Sequence, residues 1–148
     1  MGTYTQILYQ IVFSTRNRKK TLHEVNRNEL YKYIHGIIEN KNCHLYLING
    51  VSDHLHFVTH LHPSISLASL IKDIKLATTS YIKKQSLFLD FDGWQDGYGA
   101  FTYSYGAKNN LIEYVKNQEE HHKIRTFKEE YLELLNEHGI EFDEKYLL

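Results

Sequence analysis

Residues 43–62, CHLYLINGVSDHLHFVTHLH, hold two runs of alternating side chains around a turn, and their reading decides the fold. In the first run Cys43, Leu45, Leu47 and Val51 alternate with His44, Tyr46 and Ile48, while Asn49-Gly50 and Ser52-Asp53 supply turn chemistry. In the second, Leu55, Phe57, Thr59 and Leu61 point one way and His54, His56, Val58, His60 and His62 the other, because successive strand side chains face opposite sides of a sheet. A hairpin follows, with four histidines on one face.

Upstream, residues 4–13 (YTQILYQIVF) are β-branched and aromatic without a breaker and read as a buried strand; residues 14–20 (STRNRKK) then form a basic loop. Thr21 and Glu24 sit at capping-box spacing, and Val25, Leu30, Ile34, Ile37 and Ile38 mark one face of a helix running to about Asn40. Downstream, Pro63-Ser64 ends the strand. Ser66 can cap a helix whose stripe is Leu67, Leu70, Ile71, Ile74 and Ala77, with Lys72 and Lys75 off the stripe. Residues 90–99 (DFDGWQDGYG) form a glycine-punctuated loop, Ala100 to Tyr105 a fourth strand, and Asn109 or Asn110 opens a helix through Leu111, Ile112 and Val115. A last helix, about Thr126 to Asn136, ends at Gly139.

The order β-α-β-β-α-β predicts an α+β fold: a ferredoxin-like (split βαβ) antiparallel sheet with helices on one face, the other face open, and additional C-terminal helices. No linker divides the chain, so residues 1–148 read as a single domain with an acidic C-terminal helix and tail at about 126–148.

Composition agrees. The 148 residues are 42% hydrophobic and 24% charged, with one proline and eight glycines, which suits one domain with a core and excludes collagen-like or disordered chains. No run approaches the ~18 apolar residues of a membrane span, and MGTYTQILYQ lacks the features of a secretory signal, so a cytoplasmic protein without membrane contact is expected. Cys43 is the sole cysteine, so a metal would be held by His, carboxylate or amide groups. The net charge of −1 hides an asymmetry: residues 129–148 hold seven acids and one base, a tail of −6, while the rest holds 16 bases and 11 acids, a body of +5. That permits a phosphate-binding face without requiring one.

His54 and His56 lie on one strand face with Cα atoms ~6.6 Å apart, close enough to share one ion; His60, about 20 Å from His54, cannot join them. The plainer alternative is two polar residues on a wet strand face. A histidine-triad nucleotide hydrolase would need a third alternating histidine where Val58 stands, and a two-histidine phosphoesterase would need Ser or Thr two residues after each histidine. Tyr114 and Gln118, four residues apart, bring a phenol and an amide to one helix flank, though a tyrosine there also suits an ordinary core boundary.

Three motifs, Asp53-His54-Leu55-His56-Phe57, the run Trp94-Gln95-Asp96-Gly97-Tyr98-Gly99-Ala100-Phe101, and Glu113-Tyr114-Val115-Lys116-Asn117-Gln118, make the sequence similar to the single-tyrosine HUH transposases of small bacterial insertion sequences, including their REP-associated relatives. The resemblance runs from the first strand and Ser14-Thr15-Arg16 to about His122. It implies His54, His56 and Gln118 as ligands of a divalent metal, Mg²⁺ or Mn²⁺, and Tyr114 as nucleophile on single-stranded DNA. It also implies a 5′-phosphotyrosine intermediate, DNA hairpins at the element ends, and a homodimer. Arg16, Arg18, Lys19, Lys20, Lys72 and Lys75 are candidate phosphate contacts, with ordinary solvated side chains as the plainer alternative, and His121 is a candidate for proton transfer. Asp53 either orients a histidine or caps its turn. The acidic tail would repel DNA over the active face, so it packs elsewhere or regulates.

Two other readings stay open. Rolling-circle initiators and relaxases share the chemistry, but initiators often carry two tyrosines on the catalytic helix, where Tyr114 stands alone from Leu111 to His122. An open sheet bearing aromatics also suits a non-catalytic or domesticated module for single-stranded nucleic acid, although the RRM signature is missing.

Overall fold

The computed structural model of the chain describes residues 2–118, 120 and 125–147. Strands β1 (Leu8–Ser14), β2 (His44–Gly50), β3 (His54–His60) and β4 (Gly99–Tyr103) form one antiparallel sheet in the order β2-β3-β1-β4. Helix α1 (Glu24–Asn40) joins β1 to β2 and α2 (Leu67–Gln85) joins β3 to β4, which is the expected β-α-β-β-α-β order. Helices α3 (Lys108–Lys116) and α4 (Phe127–Glu137) follow. Among the described residues no helix is long and apolar enough to cross a membrane.

The two sheet faces carry separate cores. On one, Ile11, Phe13, Leu55 and Phe57 pack against Leu30, Ile34 and Ile38 of α1 and Leu70, Ile71 and Ile74 of α2. On the other, Leu8 and Val58 meet Leu111 and Val115 of α3, while Val12 and Phe101 meet Phe127, Tyr131, Leu134 and Leu135 of α4. That second face is therefore covered, where the sequence suggested an open one. Leu8, Val12, Val58 and Phe101 are apolar, and leaving them in water would forgo about 25 cal/mol per Å² of burial.

Local chemistry explains the remaining departures. Strand β1 starts at Leu8 rather than Tyr4 and reaches Ser14. Helix α1 has His23 at its N-cap without a side-chain cap bond; Thr21 does not form the expected box, because the backbone of Leu22 is tied to Ser52 O at 2.9 Å and holds the entry segment against the hairpin. Val25, expected on the apolar stripe, is 89% exposed, so the buried face of α1 is Leu30, Ile34 and Ile38. Strand β2 carries a bulge between Leu45 and Leu47. One extra residue reverses the alternation: Leu45 and Ile48 face the α1/α2 core while Leu47 joins the α3 side. The turn consequently begins after Gly50, whose missing Cβ would stand 2.4 Å from His54 O. Helix α4 begins one residue later than expected, with Thr126 and Glu129 forming a complete capping box.

If this is the buried face of α1, Ile34→Ala lowers unfolding free energy by about 2–5 kcal/mol while Val25→Ala shifts it by no more than ~0.5 kcal/mol; urea denaturation of the two variants checks the assignment.

Candidate active site

The site begins with the alternation of β3. With Leu55 and Phe57 committed to the α1/α2 core, His54 and His56 must point to the opposite face, and both are fully buried there. Each imidazole is oriented from behind. The Asp53 carboxylate lies 2.7 Å from His54 Nδ1, and Gln10 Oε1, from β1, lies 2.8 Å from His56 Nδ1. A carboxylate can only accept, and Gln10 uses its Nε2 to donate to Tyr103 Oη at 2.9 Å, so both Nδ1 atoms are the donors and both Nε2 atoms aim forward with a lone pair. Asp53 thus orients a histidine as well as shaping the turn, where its carbonyl accepts from Thr15 N at 2.9 Å.

The tyrosine comes from α3. Asn49, paired with His56 across the β2–β3 ladder, donates to the carbonyls of Val115 at 3.2 Å and Lys116 at 2.9 Å, which fixes the end of α3 over the histidines. The helix stops at Lys116, so Gln118 follows a break instead of continuing the turn, yet it too is fully buried in the site.

Sequence reasoning missed the group at the centre. Glu130 of α4 is fully buried; its Oε1 lies 2.9 Å from His56 Nε2 and 4.0 Å from His54 Nε2. Its Oε2 accepts from Tyr114 Oη at 2.5 Å and from Gln118 Nε2 at 3.5 Å. Arg125 donates to Tyr114 Oη at 3.2 Å, stands 3.9 Å from Glu130 Oε2 and pairs with Glu133. A ring of Phe127 stacks on His54 at 3.9 Å and 17°. The signal was present: Glu130 interrupts the stripe Phe127, Tyr131, Leu134, an acid where helical spacing demands an apolar residue.

The electrostatics follow from this enclosure. Burial pushes the Tyr114 phenol well above its ordinary value, and the negative charge of Glu130 adds to the rise while Arg125 opposes it. Burial likewise raises Tyr103, behind Gln10, to about 12. Two lone-pair atoms, His56 Nε2 and Glu130 Oε1, face each other at 2.9 Å in a water-excluded site, an approach that requires a shared proton or a cation between them. Ligand atoms of His54, His56 and Glu130 all lie within 4.8 Å of one another, and two neutral imidazoles with a carboxylate suit a divalent ion such as Mn²⁺.

The other candidate residues are distributed as follows. Arg16, Lys19 and Lys20 are exposed on the loop after β1, with Lys19 paired to Asp92 at 2.7 Å. Arg18 is half-buried and, like Asn17, adopts a left-handed backbone. Together with Lys20, Arg125 and Lys128 it lines a cleft that reaches Asp53 and Phe127. Lys72 is exposed on α2, whereas Lys75 donates to Gln95 O at 2.8 Å and Gly97 O at 2.6 Å, pinning the loop before β4, and burial lowers its pKa. His60 accepts from Ile7 N at 3.2 Å, away from the site. His121 lies outside the described residues.

Residues 3–118 match the family model described as "Transposase IS200 like". Among solved structures, a candidate transposase from Deinococcus radiodurans R1 superposes with a TM-score of 0.60 at 18% identity, covering 80% of this chain and 95% of that one. A REP-associated tyrosine transposase bound to a REP hairpin gives 0.59 at 15% identity, covering 79% and 72%. No curated protein matches the sequence.

Because Gln10 holds His56 through an acceptor, Gln10→Leu weakens Mn²⁺ binding by about 10–100-fold while Gln10→Glu, which keeps the acceptor, stays near wild type. Titration followed by the EPR signal of free Mn²⁺ measures both.

Proposed function

The chain belongs to the IS200-like transposase family, and from that premise we propose that it cleaves and rejoins single-stranded DNA through a 5′-phosphotyrosine intermediate. What supports the reading is the convergence of a phenol, two imidazoles and an amide from separate segments: Tyr114 and Gln118 meet the His54–His56 pair around one carboxylate.

In this mechanism Tyr114 Oη attacks the scissile phosphorus and the bond to the 3′ oxygen breaks. The phenolic proton is given up and the departing oxygen takes one, leaving a free 3′-OH and a phosphotyrosine. Attack by another 3′-OH reverses the sequence, and no nucleotide cofactor is needed because the phosphotyrosine conserves the bond. A phenol of pKa ≈ 10 is a weak nucleophile at neutral pH, and the surroundings of Tyr114 raise its value further. A divalent ion held by His54 and His56, with Gln118 or the Glu130 carboxylate beside it as third ligand, would supply the missing polarisation of the phosphate. Asp53 and Gln10 keep the imidazole Nε2 atoms directed at it.

The substrate in this reading is single-stranded DNA with hairpins at the element ends; the REP-associated neighbour is bound to a REP hairpin, which supports that class. Arg16, Arg18, Lys19, Lys20 and Lys72 offer phosphate contacts on the surface, and the working unit is a homodimer. Lys75, engaged by the loop carbonyls, contributes through the loop it holds.

Incubation with single-stranded oligonucleotides from the flanking DNA and Mn²⁺ or Mg²⁺ yields an SDS-resistant protein–DNA adduct that disappears in Tyr114→Phe and in EDTA. Binding without an adduct under both metals would favour a non-catalytic module, and an adduct persisting in Tyr114→Phe would reassign the nucleophile.

A further inference from the structure

We propose that the cleft between the loop after β1 and the first turn of α4 is the docking channel for the sugar–phosphate backbone of the strand that is cut, and that Lys128 of α4 is one of its phosphate contacts; the proposal rests on the reading of His54, His56 and Tyr114 as the reaction centre. The cleft has a volume of about 540 Å³, a size that takes a nucleotide-sized group. Four cations line it, Arg18, Lys20, Arg125 and Lys128, against one acid, Asp53. The Asp53 carboxylate is turned to His54 Nδ1 at 2.7 Å, and the ring of Phe127, which also lines the cleft, stacks on His54 at 3.9 Å. The channel therefore ends at the imidazole pair, and a strand with its scissile phosphate there has its neighbouring phosphates in the cleft.

Most of the cleft's cations are uncompensated, unlike others nearby. Lys19 is paired with Asp92 at 2.7 Å, and Lys75 is engaged by the carbonyls of Gln95 and Gly97. Among the described residues Arg18, Lys20 and Lys128 have no ion-pair partner. Like charges gathered around one concavity repel one another until an anion joins them. Arg18 is placed there by a strained turn: Asn17 and Arg18 take φ of 55° and 53°, a left-handed conformation that residues other than glycine seldom adopt. Asn17 N, donating to Gln95 Oε1 at 2.8 Å, and Arg16 N, donating to Gly93 O at 2.9 Å, hold the loop in that shape.

The other flank of the site has the opposite sign. Glu133 and Glu137 line the cavity beside Tyr114. The two flanks drive a polyanion the same way, off the acidic side and into the basic cleft. Helix α4 contributes to both, with Lys128 in its first turn on the cleft and its acids on the Tyr114 cavity. Arg125 lines both and donates to Tyr114 Oη at 3.2 Å, so the cleft is continuous with the nucleophile as well as with His54. The C-terminal segment, acidic as a whole, thus supplies two of the four cations that face the strand.

Fluorescence anisotropy of the full chain with a labelled single-stranded oligonucleotide from the flanking DNA, in EDTA and over a range of salt, tests the cleft apart from the chemistry. Each phosphate contact on a single strand contributes about 0.7 to the slope of log K against log salt, which is about fivefold in affinity at about 0.1 M. Lys20→Gln, Lys128→Gln and Arg18→Gln are each expected to weaken binding about fivefold and to flatten the slope by about 0.7, while Lys84→Gln, at an exposed position on α2, changes neither. Lys20 and Lys128 are exposed, so their variants fold even if Arg18→Gln disturbs its strained loop. Wild-type affinity and slope in the Lys20 and Lys128 variants, or an equal loss in Lys84→Gln, overturns the cleft. The expected binding losses with no adduct from the wild type in Mn²⁺ uphold the cleft and sink the phosphotyrosine reaction instead.

Discussion

The antiparallel pairing of β3 with β1 on one side and β2 on the other is the constraint on which the rest depends. A central strand admits no slip: moving its register by one residue would bring His54 and His56 into the α1/α2 core and expel Leu55 and Phe57. The same register sets Gln10 beside His56 and Asn49 opposite it. One ladder therefore fixes the imidazoles, the acceptor that orients one of them, and the anchor for the end of the tyrosine helix.

From that ladder the site assembles by supporting contacts, each cheap in sequence and demanding in space. Asp53 and Gln10 decide which imidazole nitrogens face forward. The bulge in β2 turns Leu47 to the α3 side, helping to seat the helix that carries Tyr114. Helix α4 then closes the arrangement with a buried carboxylate that meets Tyr114, Gln118 and His56. Burying an acid is costly unless partners compensate, and here a phenol and an amide donate to it.

In this member of the IS200-like transposase family, two layers build the site. The sheet and α3 hold His54, His56 and Tyr114 in fixed relation, and α4 covers them with Phe127 and Glu130.

Much of this was legible in the residues alone. Alternation in 54–62 and the periodicity of α1 and α2 dictated the β-α-β-β-α-β order, since patterns with periods of 2 and about 3.6 bury only one way each. The pairing of His54 with His56 and of Tyr114 with Gln118 could be read from local spacing. What only the tertiary structure decided involves contacts between distant segments: Gln10 behind His56, Asn49 on the end of α3, and Glu130 between the histidines and the tyrosine. Glu130 looked like one acid among seven in a solvated tail, because charge counting carries no information about which face of α4 meets the sheet. The cover over the second sheet face escaped for the same reason: β1 and β3 reveal that apolar residues point there, but which helix buries them is settled by packing across the whole chain.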